Sequence, residues 1–81
     1  MTIEEAVADL TARIKSVSPD AVVRVTRGSE QEASIRTYAP ADQAFAIKAA
    51  TQEITLSLLY NEDLDVQVLV YDIATSLPSS E

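Results

Sequence analysis

Three of the chain's four arginines fall in one short stretch, residues 24–38, "RVTRGSEQEASIRTY". A guanidinium group can bind an oxyanion through two parallel hydrogen bonds, and it can also stack on an aromatic ring. If the stretch folds as a hairpin, Arg24 lies on its first strand and Arg36 and Tyr38 lie on its second. These residue types predict either a binding surface or an ordinary solvated sheet face.

Other chemistry is restricted by what the chain lacks. It contains no histidine and no cysteine, and it has a single glycine. These absences exclude a serine or cysteine triad, a zinc site of the usual kind and a glycine-rich phosphate loop. A pair of carboxylates could still act as acid and base, but no two acidic residues share an apolar setting. We therefore expect a protein that is not an enzyme and that uses no cofactor.

The segment "NEDLD" is the one candidate for a metal site. Glu62, Asp63 and Asp65 offer the oxygen ligands that calcium and magnesium prefer. The segment lacks the regular spacing and the glycine of a calcium-binding loop. We interpret it as a solvated turn and predict no metal site.

Length and charge limit the classes of partner. The chain has 81 residues, which is typical of one domain, and its net charge is −7. An acidic surface disfavours nucleic acid and anionic membranes, and no apolar run approaches the ~18 residues of a membrane span. The acidic start "MTIEEAVADL" does not fit a secretory signal. With no cysteine present, we expect a cytoplasmic protein.

The first segment is predicted to be a helix over residues 3–17. Thr2 and Glu5 have the spacing of a capping box. An apolar residue then recurs every three or four positions, which is the period of a helix with one buried face. Members of that stripe are Ile3, Val7, Leu10, Ile14 and Val17. Ser18-Pro19 ends the helix.

A hairpin follows, with two strands around Gly28–Gln31. Alternation places Ala21, Val23 and Val25 on one face of its first strand, and Ala33, Ile35 and Thr37 on the same face of its second. A second helix is predicted from Pro40 to about Tyr60. A third strand begins at Val66. Residues 1–73 would form a single domain, and residues 74–81 a flexible tail.

The predicted fold class is α+β. The element order α-β-β-α-β gives a two-layer sandwich in which both helices cover one face of a three-stranded sheet. The crossover through the second helix makes the third strand parallel to the second. Two strand orders, 1-2-3 and 2-1-3, satisfy these rules equally well.

This element order is similar to that of two families. One is the type II KH domain, which would imply a G-x-x-G loop and RNA binding. The sole glycine here lies in "RGSE" and the chain is acidic, so RNA binding does not carry over. The other is the cytoplasmic dimerising domain of cation-diffusion transporters, whose metal ligands include histidines that this chain lacks. Both resemblances concern topology alone, and we infer no family membership.

Arg24, Arg36, Tyr38 and Tyr71 are predicted on the sheet face away from the helices. Three interpretations compete: a protein contact surface, a solvated face on which the arginines pair with acidic neighbours, or a pocket for a small anion. Tyrosine and arginine are enriched in protein interfaces, and the face also carries apolar side chains, so we favour the contact surface.

The second helix offers a further candidate surface. Phe45, Leu56 and Leu59 lie outside its main apolar stripe. They either cover the edge of the core or remain available to a partner. A domain of this size buries a thin core, and a twofold homodimer would cover the surplus apolar area. We therefore predict a module that binds protein, either a second copy of itself or a larger subunit.

Overall fold

The structure is a computed structural model that describes residues 1–75. Its element order is α-β-β-α-β, as predicted, and the boundaries agree with the sequence pattern to within a few residues. The elements are α1 (Ile3–Val17), β1 (Val22–Arg27), β2 (Glu32–Ala39), a short 3-10 turn (Ala41–Gln43), α2 (Ala44–Asn61) and β3 (Asp65–Asp72).

The capping box at the start of α1 is confirmed. The amide of Glu5 donates to the hydroxyl of Thr2 at 3.2 Å, and the amide of Thr2 donates to the Glu5 carboxylate at 2.9 Å. This backbone donation from Thr2 lowers the pKa of Glu5. Two amides that helix geometry would leave unpaired are satisfied in this way.

Replacing Thr2 with alanine is expected to lower the free energy of unfolding by about 0.5–2 kcal/mol, because an N-cap hydroxyl is lost. Urea denaturation followed by circular dichroism measures this change. The matched control is Ser16→Ala, which removes an exposed hydroxyl from the last turn of the same helix and should change stability by less than about 0.5 kcal/mol. Equal effects from the two substitutions would contradict the capping role.

The apolar stripe of α1 forms much of the core. Leu10 and Ile14 are fully buried, and Ile3 and Ala6 are nearly so, while Val7 and Val17 pack at the margin. α1 contacts β2 and α2, and α2 contacts β3. Both helices therefore lie on the same face of the sheet, as the pattern predicts.

The sheet has the order β1-β2-β3, which decides between the two alternatives. β1 and β2 are antiparallel, and β2 and β3 are parallel. β2 is the central strand, and its core face is the most completely buried: Ala33, Ile35, Thr37 and Ala39 are at most 4% exposed. β1 is an edge strand, and it is only partly covered by the helices. Val25, on the core face of that edge strand, remains 43% exposed.

The turn after α2 contributes a core residue that the pattern had assigned to a solvated turn. Asp63 adopts a left-handed backbone with φ of 59°, which aspartate tolerates better than most residues. The chain reverses there, and the amide of Leu64 donates to the carbonyl of Leu58 at 3.0 Å. Leu64 is consequently only 5% exposed.

Ala74 and Thr75 continue β3 as a turn closed by the Asp72 carboxylate, which accepts from the Ala74 amide at 2.9 Å. Most of the predicted flexible tail, residues 76–81, lies outside the described residues. Among residues 1–75, neither helix combines the length and the apolar character needed to cross a membrane.

Candidate functional site

The side of the sheet away from the helices, which we call the open face, carries side chains in four rows. The strand register sets these rows, because directly paired residues project to the same side of a sheet. They are a tyrosine row (Val22, Tyr38, Tyr71), an arginine row (Arg24, Arg36, Leu69), a neutral row (Thr26, Ser34, Gln67) and an acidic row (Glu32, Asp65). The predicted sheet-face residues therefore lie in two adjacent rows.

The arginine row places two like charges side by side. Arg24 and Arg36 are direct partners across the β1–β2 ladder, an arrangement that is unfavourable unless something compensates it. Neither forms a salt bridge with any residue in the described part of the chain. In the same region, the Nε of Arg36 is buried without a hydrogen-bond partner. The acidic neighbours assumed by the solvated-face interpretation are thus not found here.

In the tyrosine row, the two tyrosine side chains partly shield each other from solvent. The rings of Tyr38 and Tyr71 stack with centroids 5.4 Å apart and planes 25° from parallel. Tyr38 on the central strand is only 8% exposed, whereas Tyr71 on the edge strand is 37% exposed. Tyr38 faces away from the helices as predicted, but the tyrosine that remains available for contact is Tyr71.

The acidic row is the feature of the open face that the sequence pattern missed. β3 begins at Asp65, one residue earlier than predicted, and the alternation in β2 was followed only from Ala33, so Glu32 was assigned to neither face; these two acids pair with each other in the register. Extending the alternation by one residue on each strand would have placed both acids on the open face. They border a shallow depression of about 200 Å³ whose lining also includes Thr26, Ser34 and Gln67.

The third arginine of the opening stretch does not belong to this surface. Arg27 donates to the Glu4 carboxylate of α1 at 2.7 Å, so its charge is paired towards the helix layer. This hydrogen bond lowers the pKa of Glu4. The candidate site therefore contains two arginines and not three.

The outer side of α2 is the second predicted surface. Phe45 is 82% exposed, and Leu56 and Leu59 are 45% and 43% exposed, so the structure leaves all three accessible. Tyr60, which the pattern treated as the end of the helix, is 79% exposed and adds to them. We call these four residues the α2 stripe. The opposite side of the helix is also apolar and is buried through Ile47, Thr51 and Leu58.

A groove of about 490 Å³ runs between α2 and the free edge of β3. Lys48, Gln52 and Thr55 line its helix side, and Val66–Leu69 line its strand side. Because β3 is an edge strand, its outward backbone groups border this groove.

Acidic residues do not assemble into a metal centre in the described part of the chain: within residues 1–75, no group of three or more aspartates and glutamates is placed to hold an ion. Glu62, Asp63 and Asp65 accordingly do not form one. Every aspartate and glutamate in residues 1–75 is exposed or, for Asp72, half-buried. No two carboxylates are buried together within this part of the chain.

Comparisons of the chain with protein-family models, curated proteins and solved structures each return no match. They lend no support to either topological resemblance.

Proposed function

We propose that this chain is a non-enzymatic protein-binding module that acts as a homodimer or as a small accessory subunit of a larger assembly. The observation that carries the proposal is the α2 stripe. A helix that is apolar on both sides is typical of one covered on both sides, and this fold covers only one. Phe45, at 82% exposed, is the clearest case of an apolar side chain that the domain does not bury.

Energetics support the same conclusion. Burying apolar surface is worth about 25 cal/mol per Å², so exposed leucine, phenylalanine and tyrosine side chains are a substantial reserve of binding free energy. A domain of 8.8 kDa has a thin core and gains proportionately more than a large protein from such a contact. We also place the protein in the cytoplasm, where domains fold without disulfides.

The open face supports protein binding in a different way. It combines two tyrosines with two arginines that form no salt bridge with any acidic residue in residues 1–75, and interfaces are enriched in both residue types. It also carries Leu69, which is 38% exposed beside the arginines. An incoming protein surface with acidic groups would relieve the repulsion between Arg24 and Arg36.

Multi-angle light scattering over a range of concentrations tests the proposal. We expect the mass to rise from 8.8 kDa towards twice that value as concentration increases. A mass that stays at 8.8 kDa up to about millimolar concentration would contradict the homodimer. Leu56→Gln/Leu59→Gln and Arg24→Glu/Arg36→Glu, measured in parallel, show which of the two surfaces makes the contact.

A second candidate function, a module that senses a small anion, is favoured by one specific observation. Arg24 and Arg36 are direct partners across the β1–β2 ladder, and the buried Arg36 Nε has no hydrogen-bond partner in the described residues. Thermal-shift measurements with phosphate, sulfate and dicarboxylates distinguish the two functions. If Arg24→Glu/Arg36→Glu abolishes an anion response and leaves self-association intact, the sensing function is favoured. If the same variant loses self-association, the contact function is favoured.

A further inference from the structure

We propose that the open face docks on the open face of a second copy, related by a twofold axis that passes over Ser34 and places the arginine row of each copy against the acidic row of the other. This inference rests on the proposed function, because it requires that the chain self-associates. Beyond self-association, it specifies that the contact surface is the open face, that the partner is a second copy, and that arginine rows pair with acidic rows.

Charge segregation on the open face is the basis for the proposal. Arg24 and Arg36 form one row, Glu32 and Asp65 form another, and the neutral row lies between them. The four charges balance, although the whole chain carries −7. Two copies of this acidic protein can therefore approach each other through their open faces without contact between like charges. This requires that the arginine row of each copy lies against the acidic row of the other.

Symmetry determines which arrangement achieves this. A twofold axis along the strands would set each row against itself, arginine against arginine. A twofold axis that runs across the strands reverses the order of the rows in the second copy. The arginine row of each copy then lies over the acidic row of the other copy only if this axis passes over the neutral row. The charged rows are four residues apart, about 13 Å, so each lies about 6.6 Å from that axis.

The lateral positions of the charges also fit a common packing geometry. The arginines lie on β1 and β2 and the acids on β2 and β3, so the two pairs are offset by one strand, about 4.8 Å. Centring one pair over the other requires the strands of the two sheets to cross at roughly 40°. Face-to-face sheets in proteins cross at about 30°, so the offset requires no unusual arrangement.

The depression beside the acidic row provides space for an incoming side chain. It measures about 200 Å³ and is bordered by Glu32 and Asp65. A guanidinium entering it would meet carboxylates, which are its preferred bidentate acceptors.

A second copy fits this pattern better than an unrelated partner does. An acidic partner would compensate the arginine row and repel the acidic row, and a basic partner would do the reverse. Neither the α2 stripe nor the groove between α2 and the free edge of β3 carries a comparable alternation of charge. With the axis over the neutral row, three rows of each copy overlap and the tyrosine row lies beyond the overlap. Three strands and three rows span roughly 300 Å² in projection, which is small for an interface and predicts a weak dimer that forms at high concentration.

Charge-reversal variants of the arginine row and of the acidic row test this pairing. Arg24→Glu/Arg36→Glu leaves two acidic rows, and Glu32→Arg/Asp65→Arg leaves two basic rows. Sedimentation equilibrium should show that each double variant alone has a dimer dissociation constant about 100-fold or more above that of the unmodified chain. An equimolar mixture should form a heterodimer, because each acidic row then faces a basic one. The fourfold variant that combines all four substitutions should restore the homodimer.

Circular dichroism confirms that each variant is folded. If a reversal variant does not fold, Arg24→Gln/Arg36→Gln and Glu32→Gln/Asp65→Gln take its place, and both must weaken the dimer. The row pairing is overturned if either double variant still dimerises as tightly as the unmodified chain, or if the mixture and the fourfold variant stay monomeric; in those cases self-association itself still stands. If the unmodified chain is monomeric at every concentration, the proposed homodimer and this inference both fail.

Discussion

Replacing Leu10 with alanine is expected to lower the free energy of unfolding by about 2–5 kcal/mol. Leu10 lies at the centre of the α1 stripe and is 0% exposed. The substitution removes buried methyl groups and leaves a cavity that the surrounding β2 and α2 side chains can only partly fill, so lost burial and lost packing add. In a domain of this size, such a loss is a large part of the total stability.

Urea denaturation at low micromolar protein concentration measures the effect without a contribution from self-association. The matched control is Leu59→Ala, the same change at a position that is 43% exposed on the outer side of α2. We expect the control to cost less than about 1 kcal/mol, since much less apolar surface is removed from the interior. Similar losses for the two variants would show that the α1 stripe is not the core.

Replacing Thr37 with valine is expected to raise the free energy of unfolding by about 1–3 kcal/mol. Thr37 lies on the core face of the central strand and is 0% exposed, and its hydroxyl has no hydrogen-bond partner within residues 1–75. A buried hydroxyl without a partner costs about this much, and valine has nearly the same shape. Valine is also well suited to a β-strand.

Thr51 offers a matched control on the other side of the core. It is 2% exposed, but its hydroxyl donates to the carbonyl of Ile47 at 2.9 Å. Thr51→Val should therefore be neutral or slightly destabilising. A destabilising Thr37→Val, or equal shifts in the denaturation midpoint for both variants, would show that the Thr37 hydroxyl has a partner such as a bound water molecule.

The elements of this fold could be predicted from local features. The capping pair Thr2 and Glu5 and the three-to-four spacing of apolar residues specify α1, because both act within a few residues of the chain. Alternation similarly assigned Ile35 and Arg36 to opposite faces of β2. These inferences were correct because adjacent side chains in a strand must point to opposite sides.

The candidate site was predictable only in part. Arg24 and Arg36 were placed on the open face, but the acidic row was missed because its residues occupy the first positions of their strands, where the alternating pattern has barely begun. The burial of Tyr38 was likewise not apparent. It depends on Tyr71, which is distant in sequence and reaches Tyr38 only through the parallel β2–β3 pairing.

Periodicity and capping along the chain were enough to establish two helices, three strands and the side chains that each directs inward, since these depend on interactions between near neighbours. Strand order was open until the tertiary structure placed β2 at the centre, because both orders satisfy the same local rules. The same long-range pairing set Arg24 directly beside Arg36, brought Glu32 beside Asp65 and left the α2 stripe uncovered. These neighbour relations depend on how elements that are distant in sequence pack together. From them we infer that the open face docks on a second copy and which rows then face each other.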